Sequence, residues 1–194
     1  MSSAIIAIVG RPNVGKSTLF NRILGFREAI VHELPGVTRD RKYAATDWAG
    51  NHFTIIDTGG FIPVSEDIFD RAIREQAAIA IEEADAVVFV VDAETGLTPL
   101  DREIANILRK SSKPIHLTVN KIDSVKREID ANEFFELGLG EPLSISALGG
   151  RQIGDFLDAI TASFVKQEEV EDQTRLRLAV IGKPNVGKSS LVNA

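Results

Sequence analysis

No cysteine occurs in the sequence, and methionine, tryptophan and tyrosine occur once each. The first absence excludes disulfides, thiolate metal sites and cysteine nucleophiles, and it fits a reducing cytosol. Positive charge is also short: 22 Lys and Arg against 28 Asp and Glu leave a formal net charge of −6. A chain of that sign is not built for bulk attraction to phosphate backbones, so any nucleic-acid contact has to be local. Long hydrophobic runs are missing too. None approaches the roughly 20 residues that span a bilayer. The apolar opening "MSSAIIAIVG" lacks a positive leading segment and leads straight into a glycine loop, which marks a strand rather than a signal peptide. The expectation is a soluble cytoplasmic protein with no membrane partner.

What is present is an ordinary globular composition, 44% apolar and 26% charged over 194 residues, enough for one domain plus an extension or for two small domains. Strand-like and helix-like runs alternate. Strands are expected at Ala4–Val9, Lys42–Ala49, His52–Asp57, Ala86–Val91, Ile115–Val119 and Pro142–Ile145. "AVVFVV" is apolar on both faces, as a central parallel strand is. "AGN" reads as a hairpin turn, with Trp48 packing beside it. Helices are expected at Ser17–Leu24, Glu66–Glu83, Pro99–Lys110, Gln152–Phe164 and, shorter, Glu133–Leu137. Pro99 suits a first helical turn. This alternation implies an α/β fold: a mostly parallel six-stranded sheet with one antiparallel edge strand and helices on both faces. Ligands of such sheets sit outside the carboxyl ends of the strands, where the motifs fall.

"GRPNVGKS", Gly10 to Ser17, follows a strand and opens a helix, the context a phosphate loop needs. Gly10 and Gly15 let backbone approach phosphate closely. The N–H groups of Asn13, Val14, Gly15, Lys16, Ser17 and Thr18 and the helix dipole favour negative charge. Lys16 reaches the outer phosphates, and the Ser17 hydroxyl is a magnesium ligand. "DTGG" ends the His52–Asp57 strand, with the Asp57 carboxylate placed to hold magnesium through water and the Gly60 N–H facing the terminal phosphate. "NKID" ends the Ile115–Val119 strand. The Asp123 carboxylate accepts two hydrogen bonds from guanine N1–H and its exocyclic amine; adenine offers neither. Asn120 bonds the base or braces the loop, and the Lys121 stem covers the ring face. "SAL" supplies Ser146 and the Ala147 N–H, the latter aimed at the guanine oxygen. In "PGVTRD", Thr38 is the candidate to close over magnesium and the terminal phosphate. Arg39, Arg41 and Lys42 read as a solvated face, and His32, His52 and His116 show no ligand spacing.

"GRPNVGKSTLFN" returns as "GKPNVGKSSLVN" from Gly182 to Asn193. The interval is too long for a solenoid period and suits a domain plus a linker. Residues 1–165 are expected to form one domain. The polar stretch 166–175, "KQEEVEDQTR", is a linker or a frayed helix end, and 176–194 begins a second domain that would need about 150 more residues. A lone strand and loop cannot bury their apolar faces or select a base, so no guanine site is expected at Gly182–Ser189.

The ordered set "GRPNVGKS", Thr38, "DTGG", "NKID" and "SAL" resembles the translation-factor class of P-loop GTPases from Ala4 to about Val165. With the doubled "PNVGKS" and "PGVTRD", the chain is similar to the bacterial tandem GTPase family EngA, also called Der. That resemblance implies two G domains, a KH-like domain, GTP/GDP with Mg2+ as ligands, and a part in assembling the large ribosomal subunit. Phe61 follows Gly60 where many GTPases place a water-orienting glutamine. The family belongs to the hydrophobic-substituted GTPases, several of which use potassium, held in part by the asparagine corresponding to Asn13. A bound monovalent cation would offset charge between the outer phosphates. Three readings stand at this stage: Asn13 holds potassium in a slow GTPase, Asn13 only braces the loop, or Arg39 acts in cis. A nucleotide-binding module without turnover is the alternative function, and an adenine-nucleotide kinase is disfavoured by "NKID". Oligomeric state is left open.

Overall fold

In the computed structural model, residues 3–25, 30–32, 42–58, 78 and 81–165 are described. Expectations for Thr38, Arg39, Gly60, Phe61, most of Glu66–Glu83, the stretch 166–175 and the repeat at 176–194 lie outside the described residues.

Among the described residues the sheet has seven strands: β1 (Ala4–Val9), β2 (Ile30–His32), β3 (Lys42–Trp48), β4 (Asn51–Asp57), β5 (Ala86–Asp92), β6 (Ile115–Asn120) and β7 (Leu143–Ser144). Their order is β2-β3-β4-β1-β5-β6-β7. β1 lies between β4 and β5 and runs parallel to both; β5–β6 and β6–β7 are also parallel. The expected six strands are all there. The seventh, β2, pairs antiparallel with β3, so the one reversed strand is β3 and it does not form the edge. β2 has three residues, too few to show an alternation in sequence.

Helices α1 (Lys16–Leu24), α2 (Pro99–Leu108) and α3 (Ile153–Val165) cover both faces. All seven residues of β5 are buried. Its side chains alternate: Val87, Phe89 and Val91 join Ile104 and Leu108 of α2, whereas Val88 and Val90 join Leu19 of α1 and Phe156 of α3. α2 starts at a capping box. The Thr98 hydroxyl accepts from the Asp101 N–H, the Asp101 carboxylate accepts from the Thr98 N–H, and Pro99 takes the first turn as expected. The segment Val125–Leu137 is a run of 3-10 turns, longer than the short helix expected at its end. Phe134 and Leu137 still anchor it in the core.

The hairpin between β3 and β4 closes in two residues, with Trp48 opposite Asn51. Ala49 and Gly50 have φ of 50° and 86°, the pair of positive values that a right-twisted two-residue turn demands. Trp48 Nε1 donates to Asp158 of α3 at 2.6 Å, so this tryptophan packs across the sheet end as well as at the hairpin. Alanine carries a steric cost in the left-handed region that asparagine relieves. Ala49→Asn is therefore expected to stabilise the protein by about 0.5–1 kcal/mol. Urea unfolding without ligand measures this, and an unchanged or lower midpoint contradicts the assigned turn.

Candidate functional site

The parallel strands deliver the motifs to one edge. Gly10 follows β1, Asp57 ends β4, Asp92 ends β5, Asn120 ends β6 and Ser146 lies just past β7. The phosphate loop turns sharply there. Asn13 and Gly15 both have positive φ, 65° and 96°. A side chain at Gly15 would put its Cβ 2.3 Å from Asn120 Nδ2, so glycine is required by crowding as well as by φ. Gly15 is the N-cap of α1, which has no side-chain cap and no acidic residue in its first turn. Its leading N–H groups lack the usual side-chain partner and face the loop, an arrangement suited to an anion.

Lys16 is buried, 7% exposed, and its Nζ donates to the Gly10 and Arg11 carbonyls, both at 2.8 Å. Loss of hydration lowers its pKa from 10.5 to about 8; the Asp57 carboxylate pulls it back up, and Arg11 adds to the lowering. Ser17 Oγ donates to Asp57 Oδ2 at 2.8 Å. Thr58 fixes the strand end beside it through a bond from its hydroxyl to the Ile8 carbonyl. A hydroxyl and a carboxylate in contact form the hard-oxygen pair that suits magnesium, which takes few protein ligands and relies on phosphate for others. Among the described residues no group of three or more acidic, His or Cys side chains forms an independent metal cage. The Asn13 side chain is exposed.

Asn120 joins the two halves of the site. Its Nδ2 donates to the Val14 carbonyl at 2.8 Å, and its Oδ1 accepts from the Ala147 N–H at 2.9 Å. The Asn120 amide thus links the phosphate loop to the loop after β7, and the Ala147 N–H is engaged by it. Asp123 is exposed, with Oδ1 accepting from the buried Ser146 hydroxyl at 2.6 Å. Ser146 Oγ also accepts from the Gly149 N–H, so the loop is closed around it. Arg22 of α1 reaches the same loop, its Nε donating to the Ala147 carbonyl at 2.8 Å. Thr18, Asn21, Arg22, Gly25 and Ala147 line a cleft of about 330 Å³.

Three residues given no role by the motifs, Asp92, Arg11 and Asp101, hold the site from behind. Asp92, 2% exposed, accepts from Lys121 Nζ at 2.8 Å, from the Thr95 hydroxyl and from the Glu94 N–H. Burial opposes its charge, yet these bonds, Lys121 foremost, hold its carboxyl below the usual range. Asp92 in turn raises the Lys121 pKa through the same hydrogen bond. Arg11 Nε donates to the fully buried Asp101 at 3.3 Å. The available signals were a carboxylate closing the apolar strand "AVVFVVD" and the "TPLD" cap.

A parallel sheet with a glycine phosphate loop after its central strand, a serine–aspartate oxygen pair and an Asn-Lys-x-Asp loop defines a P-loop nucleotide-binding domain of the GTPase type. Residues 5–121 match the family model described as 50S ribosome-binding GTPase, and the chain belongs to that family. It is similar to GTPase Der of Clostridium tetani, 57% identical over the whole of this chain and 44% of that protein. GTPase Der of Flavobacterium johnsoniae is 52% identical over the whole of this chain and 45% of that protein. The chain thus spans less than half the length of these relatives. Among solved structures, a point variant of Aquifex aeolicus Era bound to GDP·AlF4− has a TM-score of 0.66 and 31% identity, covering 84% of this chain and 57% of that one. Era in complex with MgGDPNP and a 16S ribosomal RNA segment gives 0.65 and 30%, over 94% and 60%. Among the described residues no helix is long and apolar enough to cross a membrane.

The lowered Lys16 pKa has a consequence for folding. Between about pH 8 and 10.5 the unfolded chain binds a proton at this lysine that the folded chain has lost, so its contribution makes stability rise with pH across that window. Comparing unfolding free energies of the ligand-free protein and Lys16→Met from pH 7 to 10 should show a steeper rise in the parent. Parallel curves would contradict the buried ammonium.

Proposed function

We propose that this site binds GDP and GTP and that the chain hydrolyses GTP to GDP and phosphate. The observation that carries the reading is the pair of Asn120 hydrogen bonds, which sets the phosphate loop and the base loop at a fixed separation. Asp123, oriented by Ser146, selects guanine through its N1–H and exocyclic amine. The Lys121 stem covers one ring face, and the Ala147 N–H is shared between Asn120 and the base oxygen.

At the phosphate end, the Lys16 ammonium exchanges its two carbonyl partners for phosphate oxygens, a stronger charge-assisted pairing. The backbone N–H groups from Asn13 to Thr18 take the remaining negative charge. Magnesium held by Ser17, Asp57 and Thr38 would neutralise charge between the outer phosphates. Ser17 and Asp57 fit that role by their contact. The Gly60 N–H would meet the terminal phosphate. Phe61 has no donor or acceptor with which to orient water.

Asn13 is read as a potassium ligand, its carbonyl oxygen holding the ion where it offsets developing charge. Its exposure and left-handed backbone support this over the bracing role, since its side chain makes no hydrogen bond among the described residues. A place in assembling the large ribosomal subunit is proposed from the family description and the Der relatives. It would draw on the full length of such a protein. Residues 1–165 are read as a first G domain, 166–175 as an acidic linker and 176–194 as part of a second G domain.

Phosphate release from GTP with magnesium should be severalfold faster in potassium than in sodium, and Asn13→Ala should abolish that difference. An Asn13→Ala protein that keeps both rate and potassium response would eliminate the ion assignment. Bound GTP with no turnover in either salt would favour a binding module that needs a partner for catalysis.

A further inference from the structure

The carboxylate of Asp92 stands between the two loops that the proposed function uses. Its Oδ2 is 2.8 Å from Lys121 Nζ of the base loop and 3.9 Å from Arg11 Nη2 of the phosphate loop. Behind it, Asp101 Oδ2 takes Arg11 Nε at 3.3 Å as well as the Thr98 hydroxyl and N–H. The set is not closed. Arg11 Nη2 and Asp101 Oδ1 are buried without a hydrogen-bond partner. Buried polar groups in that condition cost free energy, and a displacement of under about an ångström would bring the Nη2 donor into bonding range of Asp92. What competes is Lys121, whose ammonium already holds the same oxygen. Lys121 itself has positive φ, 70°, and a side chain 31% exposed, so it has room to be drawn towards a ligand.

We propose that Asp92 is a positioning residue that couples base recognition to the phosphate loop, its carboxylate passing from Lys121 towards Arg11 as a guanine base engages the Lys121 side chain. The inference rests on the guanine-nucleotide reading of the site. Arg11 is the receiving group because its main chain already bears on the phosphates: its carbonyl is one of the two that hold Lys16. Tightening the Arg11 side chain between Asp92 and Asp101 fixes that carbonyl, and with it the position from which the Lys16 ammonium departs. Asp101 is the static end of this arrangement and Asp92 the exchanging one. Glu94 attends the release, since its Oε2 lies 3.5 Å from Lys121 Nζ and its Oε1 3.6 Å from Arg127 Nη1.

The test is a double-mutant cycle on GDP affinity in the full 194-residue chain. Arg11→Met and Lys121→Met are measured singly and together, first with Asp92 intact and then with Asp92→Asn, each protein checked by circular dichroism. Arg11 and Lys121 meet through the Asp92 carboxylate, so roles that do not pass through Asp92 give additive effects. The coupling predicts a deviation of about threefold or more with Asp92 intact, additivity with Asp92→Asn, and a GDP affinity at least about fivefold weaker for Asp92→Asn alone. Additive effects with Asp92 intact would overturn it, as would Asp92→Asn binding GDP like the parent. If Asp92→Asn does not fold, the cycle in the parent decides alone. Absence of GDP binding by the parent would instead refute the nucleotide reading on which the inference stands.

Discussion

Asn120 touches both halves of the site with one side chain, donating a hydrogen bond to the Val14 carbonyl and accepting one from the Ala147 N–H. Each partner is a buried main-chain group in a loop that has no regular ladder to pair with, so the amide replaces two hydrogen bonds that secondary structure would otherwise provide. The consequence is geometric. The loop after β1 and the loop after β7 belong to strands separated in the sheet by β5 and β6, and the end of β6 ties them. Gly15 is confined to glycine by the same amide, and Ser146, one residue before Ala147, presents its hydroxyl to Asp123. The phosphate and base ends of the site are therefore one rigid unit.

That unit is assembled against local preference. Asn13 and Lys121 occupy the left-handed region without being glycine, Lys16 keeps a buried ammonium at a cost in hydration, and Arg11 and Asp101 each leave a buried polar atom unpaired. Such concentrations of strain and desolvated charge mark sites whose ligand completes them. The core bears the cost. β5 is buried along its whole length, and the clusters on the two faces are continuous from β1 to the helices. The rigid interior thus holds polar groups at the sheet edge in positions that free loops would not keep.

Much of this was legible in the sequence because the signals were chemical and long enough to read. "AVVFVV" announces a strand buried on both faces, Pro99 the first turn of a helix, and "GRPNVGKS" between a strand and a helix an anion site. Family membership agrees with the motif order. What escaped was short or long-range. β2 is three residues paired to a strand ten positions on, and the 3-10 run at Val125–Leu137 has no strong amphipathic period, being held by Phe134 and Leu137 instead. Asp92, Asp101 and Arg11 look like ordinary surface charges in one dimension. Only folding brings residues 90 positions apart together, as Arg11 and Asp101 are. The choice between base contact and brace for Asn120 needed the same long-range information.

Guanine-nucleotide binding at this site depends on the Asn120 clamp. The direct measurement is the GDP affinity of Asn120→Ala against the parent, by titration with a fluorescent guanine nucleotide, with far-ultraviolet circular dichroism confirming the fold. Loss of the clamp leaves the Val14 carbonyl and the Ala147 N–H unpaired and lets the two loops separate, so the ligand must reassemble them. The expected result is an affinity at least about tenfold weaker with an intact spectrum. A folded Asn120→Ala protein that binds GDP as tightly as the parent would contradict it.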